Sequence, residues 1–265
     1  MTEQLTVSAA ELVRARRAAI GLPAFPGDLP ETLDDAYALQ AEAGRLWDDE
    51  IAGWKIGRIT GEAEQRLRKD RFIGPMFAST VSHVVTDDIA PFPIIPGGSA
   101  ALESEIVAVL GQDVAPERTD WRRDEVRALL SGLHIAIEVA GCPVPGVGGL
   151  GPLASIAAFG NNLALIVGPA MADWQDVDMD EVACRTTIDG RIVGEAVAGQ
   201  LPGGPLQAIA FALNQAAELG IALPAGTLLS TGAITGVHPI DQGQRAEADF
   251  GRWGTLRCQS TAARP

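Results

Sequence analysis

Two glutamates two residues apart, Glu103 and Glu105, interrupt the otherwise mostly apolar run Ala101-Leu-Glu-Ser-Glu-Ile-Val-Ala-Val-Leu110. In a strand the side-chain repeat is two, so both carboxylates project from one face. Like charges side by side repel unless that face is wet or a cation lies between them. Taken alone, the pair also reads as a solvated face whose acids merely solubilise the strand. Glu138 alters the balance, because it stands inside a second apolar run, His134-Ile-Ala-Ile-Glu-Val-Ala140, where acids rarely sit unpaired. Three carboxylates converging from two strands make a hard, oxygen-only donor set suited to Mg²⁺ or Mn²⁺, with positions left for substrate and water. The alternative for Glu138 is a buried ion pair with an arginine. Lys55, in Gly53-Trp-Lys-Ile-Gly57, is a candidate desolvated general base or carboxylate anchor. It also reads as a surface lysine with its stem laid along apolar neighbours.

The elements that must position these groups are partly legible. Ser8 with Glu11 is a capping-box pattern that predicts a helix over 9–20. Prolines and glycines make residues 21–30 a linker. Thr32 is placed to cap a second helix, with Leu33, Ala36, Tyr37, Ala43 and Trp47 on one face. From Val81 onward short β-like runs recur at 81–85, 102–110, 134–139, 163–167, 183–188, 192–196, 227–231, 244–250 and 255–258. Asp189-Gly190 predicts a hairpin between two of them. A late helix is predicted from Pro205 to Leu219, ended by Gly220. The expected fold class is α+β and β-rich, with a mainly helical region over 1–80 and a β-rich catalytic core over 81–265.

A formal net charge of −14 over 265 residues argues against a nucleic-acid partner but leaves room for a small anionic substrate beside a cation or lysine. Cys142, Cys184 and Cys258 are far apart and form no CxxC pair, so neither a zinc site nor a disulfide framework is suggested. The N-terminus reads as a helix and not as a signal peptide, and the apolar stretch 152–171 is broken by glycine, asparagine and proline; a cytoplasmic protein without a membrane span is expected. Gly146-Val-Gly-Gly-Leu-Gly151 has dinucleotide-loop spacing, but the prolines around it favour a loop over the active site. The three histidines show no ligand spacing.

The ordered set of these segments resembles the 2-keto-4-pentenoate hydratase branch of the fumarylacetoacetate hydrolase superfamily, over nearly the whole chain. Gly53-Trp-Lys-Ile-Gly57 with Thr60 looks like its lysine segment, and Glu103-Ser-Glu-Ile with Glu138 resembles its metal-ligating glutamates. Ala36-Tyr-Ala-Leu-Gln40, Asp189-Gly190 and Gly204-Pro-Leu-Gln-Ala-Ile also match, and Leu223-Pro-Ala-Gly-Thr-Leu-Leu-Ser-Thr-Gly232 resembles the segment that contacts the substrate carboxylate. The resemblance implies a curled β-sheet core with peripheral helices, a Mg²⁺ or Mn²⁺ cofactor, homo-oligomerisation and a small 2-oxo acid substrate. It implies a hydratase working through a metal-stabilised enolate, with decarboxylation, carbon–carbon hydrolysis or a non-catalytic supporting role as alternatives.

Three departures stand out: Ala78 in place of an aspartate, Ala157-Ala158-Phe159 in place of Ala-Asp-Asn, and no acid or arginine shortly after Glu138. Lys55 and Ser79 are therefore the catalytic candidates, Glu103, Glu105 and Glu138 the metal ligands, and Phe159, Thr231 and Gly232 the substrate contacts. With Phe159 as an aromatic wall and no arginine near those motifs, a substrate with an uncharged, apolar tail is expected; Arg58, close to Lys55, is the residue that could reverse this.

Overall fold

Two helices of equal length, α1 (Glu3–Arg17) and α2 (Leu33–Trp47), come first in a computed structural model that describes residues 3–85 and 88–265. Thr32 caps α2 by a reciprocal box: its hydroxyl accepts from the Asp35 N–H at 3.1 Å, and the Asp35 carboxylate accepts from the Thr32 N–H at 3.2 Å. Ala36, Tyr37, Leu39 and Ala43 then form the buried face. Ser8 is buried inside α1 and does not open it, because the apolar face begins earlier, at Leu5.

Strands β1 (Ile51–Arg58) and β2 (Arg71–Phe77) follow, with α3 (Gly61–Leu67) between them, then β3 (Val81–His83) and β4 (Ile89–Ile94). The long strands are β5 (Ser99–Leu110), β6 (Leu130–Cys142) and β7 (Asn162–Ala170), interrupted by α4 (Arg123–Val126) and α5 (Pro152–Ala157). The hairpin β8 (Ala183–Ile188) and β9 (Arg191–Val197) turns at Asp189-Gly190, both at positive φ. Helix α6 (Gly204–Glu218) precedes β10 (Leu228–Ser230), β11 (His238–Pro239), β12 (Arg245–Asp249) and β13 (Thr255–Ala262).

Eight strands form one sheet in the order β2-β1-β10-β5-β6-β7-β3, with β11 also on β5; five form a second in the order β4-β13-β12-β8-β9. Residues of both sheets, among them Leu102, Ile137 and Leu256, share the main core. Period two divides β5 cleanly. Leu102, Ser104 and Ile106 face the smaller sheet, where Ser104 Oγ meets Thr186 Oγ1 at 2.7 Å. Glu103, Glu105 and Val107 face the other way.

The boundary expected at residue 80 runs through the larger sheet, since β1 and β2 are integral to it. Both were hidden by glycine and proline, which usually weaken strands. Close backbone approach requires the glycines here: a Cβ on Gly53 would meet the Leu228 carbonyl oxygen at 2.2 Å. Among the described residues, no helix is long and apolar enough to cross a membrane.

Candidate metal centre

Glu103 and Glu138 are directly opposed across the antiparallel pair β5–β6, and Glu105 lies two residues further on the same face. Carboxylate oxygens of all three lie within 4.8 Å of one another. None has appreciable contact with solvent; Glu105 and Glu138 are fully buried. Such a cross-strand acid pair is unfavourable by itself. One cation already answers it: Lys55 Nζ lies 3.0 Å from Glu138 Oε1 and 3.9 Å from Glu103 Oε2. Lys55 reaches this place because β1 pairs in parallel with β10, setting Lys55 beside Ser230, while β10 pairs with β5.

Two glycines clear the space around the lysine. Gly74 lies opposite Lys55 on β2, and a Cβ there would stand 2.6 Å from Gly160 Cα. Gly160 itself is at φ +67, and a Cβ on it would press on Lys55 Cδ at 3.2 Å.

Supporting bonds fix the acids. Glu105 Oε2 accepts from the Gly232 N–H at 2.9 Å and from the Ser230 hydroxyl. Glu138 Oε1 accepts from Asn162 Nδ2 at 3.0 Å. Glu105 Oε1 and Glu138 Oε2 are buried with no hydrogen-bond partner. Orphaned oxygens on two converging carboxylates are what a divalent cation would satisfy, and the all-oxygen donor set suits a hard ion. The residues therefore fit a metal held by Glu103, Glu105 and Glu138.

Burial opposes the charge on Lys55, but Glu103, Glu138 and Glu105 together outweigh it and hold the ammonium well above its ordinary range. Burial pushes the Glu103 carboxyl up to about 7, with Lys55 opposing and Glu138 adding to the rise. Burial, Glu138 and Glu103 push Glu105 well above its usual value. Cation binding needs these carboxylates ionised, so it is expected to release protons and to weaken as pH falls below about 7. A carboxyl whose folded pKa exceeds its unfolded value favours the fold while protonated. The metal-free chain is thus expected to lose stability as pH rises from 4.5 to about 7, without recovering it above. Melting of EDTA-treated protein at pH 5 and pH 8 checks this; a higher melting temperature at pH 8 contradicts it.

Of the three acids Glu103 borders a cavity of about 580 Å³, lined also by Lys55, Arg58, Phe72, Ser155 and Gly232 among others. Gly148 and Gly151, from the glycine-rich segment, also border it. Pro143, Val144 and Pro145 separate that segment from β6, unlike the strand-to-glycine junction of a dinucleotide site.

Two expected site residues lie elsewhere. Ser79 is exposed, bonds Asp49 Oδ2 at 2.5 Å, and lines a different cavity beside Arg16 and Trp47. The Phe159 ring packs edge-on against Phe77 at 5.1 Å and against Trp47, because its backbone is at φ +57; the aromatic residue lining the candidate cavity is Phe72. Thr231 is next to the site, but its hydroxyl donates to the Ile106 carbonyl at 2.9 Å. Gly232 lines the cavity and contributes its N–H. Ala78, where an aspartate was expected, is exposed at a turn.

The sequence reading missed Asn162. This fully buried residue begins β7, and its main chain is clamped by Arg16 of α1, which donates to the Asn162 carbonyl at 2.6 Å and to the Leu163 carbonyl at 3.1 Å. The Arg16 guanidinium is itself buried among the Trp47, Phe77 and Phe159 rings, at 4.8, 5.6 and 5.1 Å. Asn162→Ala is expected to weaken Mg²⁺ binding by about 10–100-fold, the usual cost of losing a ligand's hydrogen-bond partner. Calorimetric titration measures it; an unchanged affinity would limit Asn162 to shaping β7.

Residues 59–260 match the family described as fumarylacetoacetate (FAA) hydrolase C-terminal, and the chain belongs to that enzyme family. It is 26% identical over 202 residues, 75% of each chain, to a 2-keto-4-pentenoate hydratase of Paraburkholderia phymatum. A 4-oxalocrotonate decarboxylase from Pseudomonas putida G7, solved with magnesium and adipate, has the same fold, with TM-score 0.84 over 98% of both chains at 22% identity. A fumarylpyruvate hydrolase from Pseudomonas aeruginosa, solved with Mn²⁺ and pyruvate, gives TM-score 0.58 over 79% of this chain and 89% of that one, at 16% identity. At these identities the structural likeness speaks for the fold.

Proposed function

We propose that the chain is a divalent-metal-dependent lyase that hydrates a small 2-oxo (2-hydroxy-dienoic) acid. The observation that carries this reading is the buried carboxylate cluster with two orphaned oxygens and Lys55 Nζ 3.0 Å from one of its members. The hydratase named among its relatives supports the choice of reaction.

A Mg²⁺ or Mn²⁺ ion held by Glu103, Glu105 and Glu138 would supply Lewis acidity toward a keto oxygen and its neighbouring carboxylate. Lys55 is the proton carrier, taking and returning a proton at the carbon next to the keto group. Its ammonium is held charged by the same glutamates, so sharing them lowers its hold on the proton. Gly232 and Ser230 keep Glu105 in place, and Asn162 does so for Glu138. Phe72 and the buried strand faces restrict water around Lys55. Self-association into a homo-oligomer belongs to the same proposal and is open to sedimentation analysis.

A panel of 2-oxo acids and their dienols, incubated with Mg²⁺, Mn²⁺ or EDTA and followed by NMR, tests the reading. The expected product is a hydrated 2-oxo acid formed only with metal. Release of CO₂ or cleavage into two acids would replace hydration by another reaction, and no metal-dependent conversion at all would remove the enzymatic reading.

A further inference from the structure

Between β10 and β11 the chain leaves the larger sheet. Ser230 pairs with Val107 of β5 and His238 with Leu102, so residues 231–237 must span only Glu103 to Ile106, the stretch that bears two of the three acids. The excess loops out through Gly232 and Gly236, at φ +103 and +100. Part of the loop keeps to β5: the Thr231 N–H donates to the Ile106 carbonyl at 3.0 Å, and the Ile234 N–H to the Ser104 carbonyl at 2.9 Å. Gly232, Ala233, Gly236 and Val237 form one wall of the cavity that Lys55 and Glu103 also line.

What fixes the looped-out part lies on the other side of β5, in the smaller sheet. Ser104, between the two glutamates, points its hydroxyl away from them to Thr186 Oγ1 of β8, at 2.7 Å. Thr186 Oγ1 in turn lies 2.7 Å from Thr235 Oγ1, which lies 3.1 Å from His238 Nε2. Ser104 and Thr186 are fully buried, so this chain of hydroxyls holds its members in one arrangement without competition from water. β9 adds a steric stop: a Cβ on Gly194 would meet the Thr235 carbonyl oxygen at 2.5 Å and the His238 ring at 2.9 Å. The loop therefore presses on β9 where only a glycine fits.

We infer that Thr186 is a positioning residue for the candidate site: through Thr235 and Ser104 it holds residues 231–237 where the Gly232 N–H meets Glu105 and the cavity keeps its wall. This rests on the proposed reading of the glutamates as the cation site. The smaller sheet contributes no acid to that site, yet its first hairpin sets the placement of a donor to one of them. Thr186→Val keeps the shape but leaves the Ser104 and Thr235 hydroxyls facing a methyl group, so the loop and its donor are free to shift.

Amide hydrogen exchange in EDTA and calorimetric titration with Mg²⁺ test this on wild type, Thr186→Val and Thr186→Ser. In Thr186→Val, exchange at the Thr231, Gly232 and Ile234 N–H groups is expected to quicken by about tenfold, while amides of the β5–β6 pair keep their wild-type rates. Its Mg²⁺ affinity is expected to fall by about 10-fold or more, as when a ligand loses its hydrogen-bond partner. Thr186→Ser keeps the hydroxyl and should stay within about threefold of wild type on both measures. Ser260→Ala removes another buried hydroxyl of the smaller sheet, one bonded to the Asp241 and Gln244 carbonyls, and should leave Mg²⁺ affinity unchanged. If Thr186→Val does not fold, Thr235→Val breaks the same chain at its loop end and is read in the same way. Unchanged exchange or unchanged affinity, or an equal loss in Thr186→Ser or Ser260→Ala, overturns the positioning role while leaving the cation site standing. Failure of wild type to bind Mg²⁺ removes the cation-site reading and this inference with it.

Discussion

Glu105→Gln is expected to abolish metal-dependent turnover while leaving the chain folded. The glutamine keeps one oxygen to accept from the Gly232 N–H and the Ser230 hydroxyl, the two bonds that hold this side chain. Its amide NH₂ then falls where the orphaned Glu105 Oε1 lay, presenting a donor to a cation that needs an acceptor. Losing a ligand outright should cost more than losing a supporting bond, so Mg²⁺ affinity is expected to fall by more than about 100-fold. The stabilisation that Mg²⁺ confers at 100 times Kd, about 2.7 kcal/mol, should vanish in the variant. In EDTA the order reverses: removing one of three buried acids relieves repulsion, and the variant should melt above wild type at pH 8. Titration and melting curves read both effects, and wild-type Mg²⁺ affinity in the variant would sink the assignment.

Lys55→Met is expected to act in two opposite directions. Exchange of deuterium into the carbon next to the keto group of a bound 2-oxo acid should slow by about 10²–10⁴-fold, the usual contribution of a general acid–base group. Mg²⁺ should bind more tightly, because Lys55 Nζ is a competing cation 3.0 Å from Glu138 and 3.9 Å from Glu103. Without metal the variant should lose about 3–5 kcal/mol of stability, as for any buried ion pair deprived of one partner. Exchange at the wild-type rate would reduce Lys55 to a counter-charge.

Much of this centre could be read before the fold was known, for a physical reason. Acids inside apolar runs are rare, and period two puts Glu103 and Glu105 on one face whatever the topology. The direct opposition of Glu103 and Glu138 could not be read, because it depends on the register of β5 on β6. Asn162 carries the same kind of signal as Glu138, a polar residue within an apolar stretch, yet it read as an interruption of that stretch. β1 and β2 were obscured because their glycines look like breaks, when in fact Gly57 makes room for the Phe72 ring. Phe159 failed as a pocket wall because its positive φ turns the ring toward α1 and α2. No side-chain pattern announces that turn.

Arg16 stands far from the acids in sequence, and its clamp on Asn162 bears on what can be exchanged among relatives. The matched family segment begins at residue 59, after both Arg16 and Lys55. A graft of that segment alone would carry the three acids into a new host without the group that balances their charge. It would also leave the first residue of β7 untethered. The helical leader and the sheet are therefore one unit of inheritance: chimeras that swap them together should keep a working centre, and those that cut between them should inherit ligands without a site.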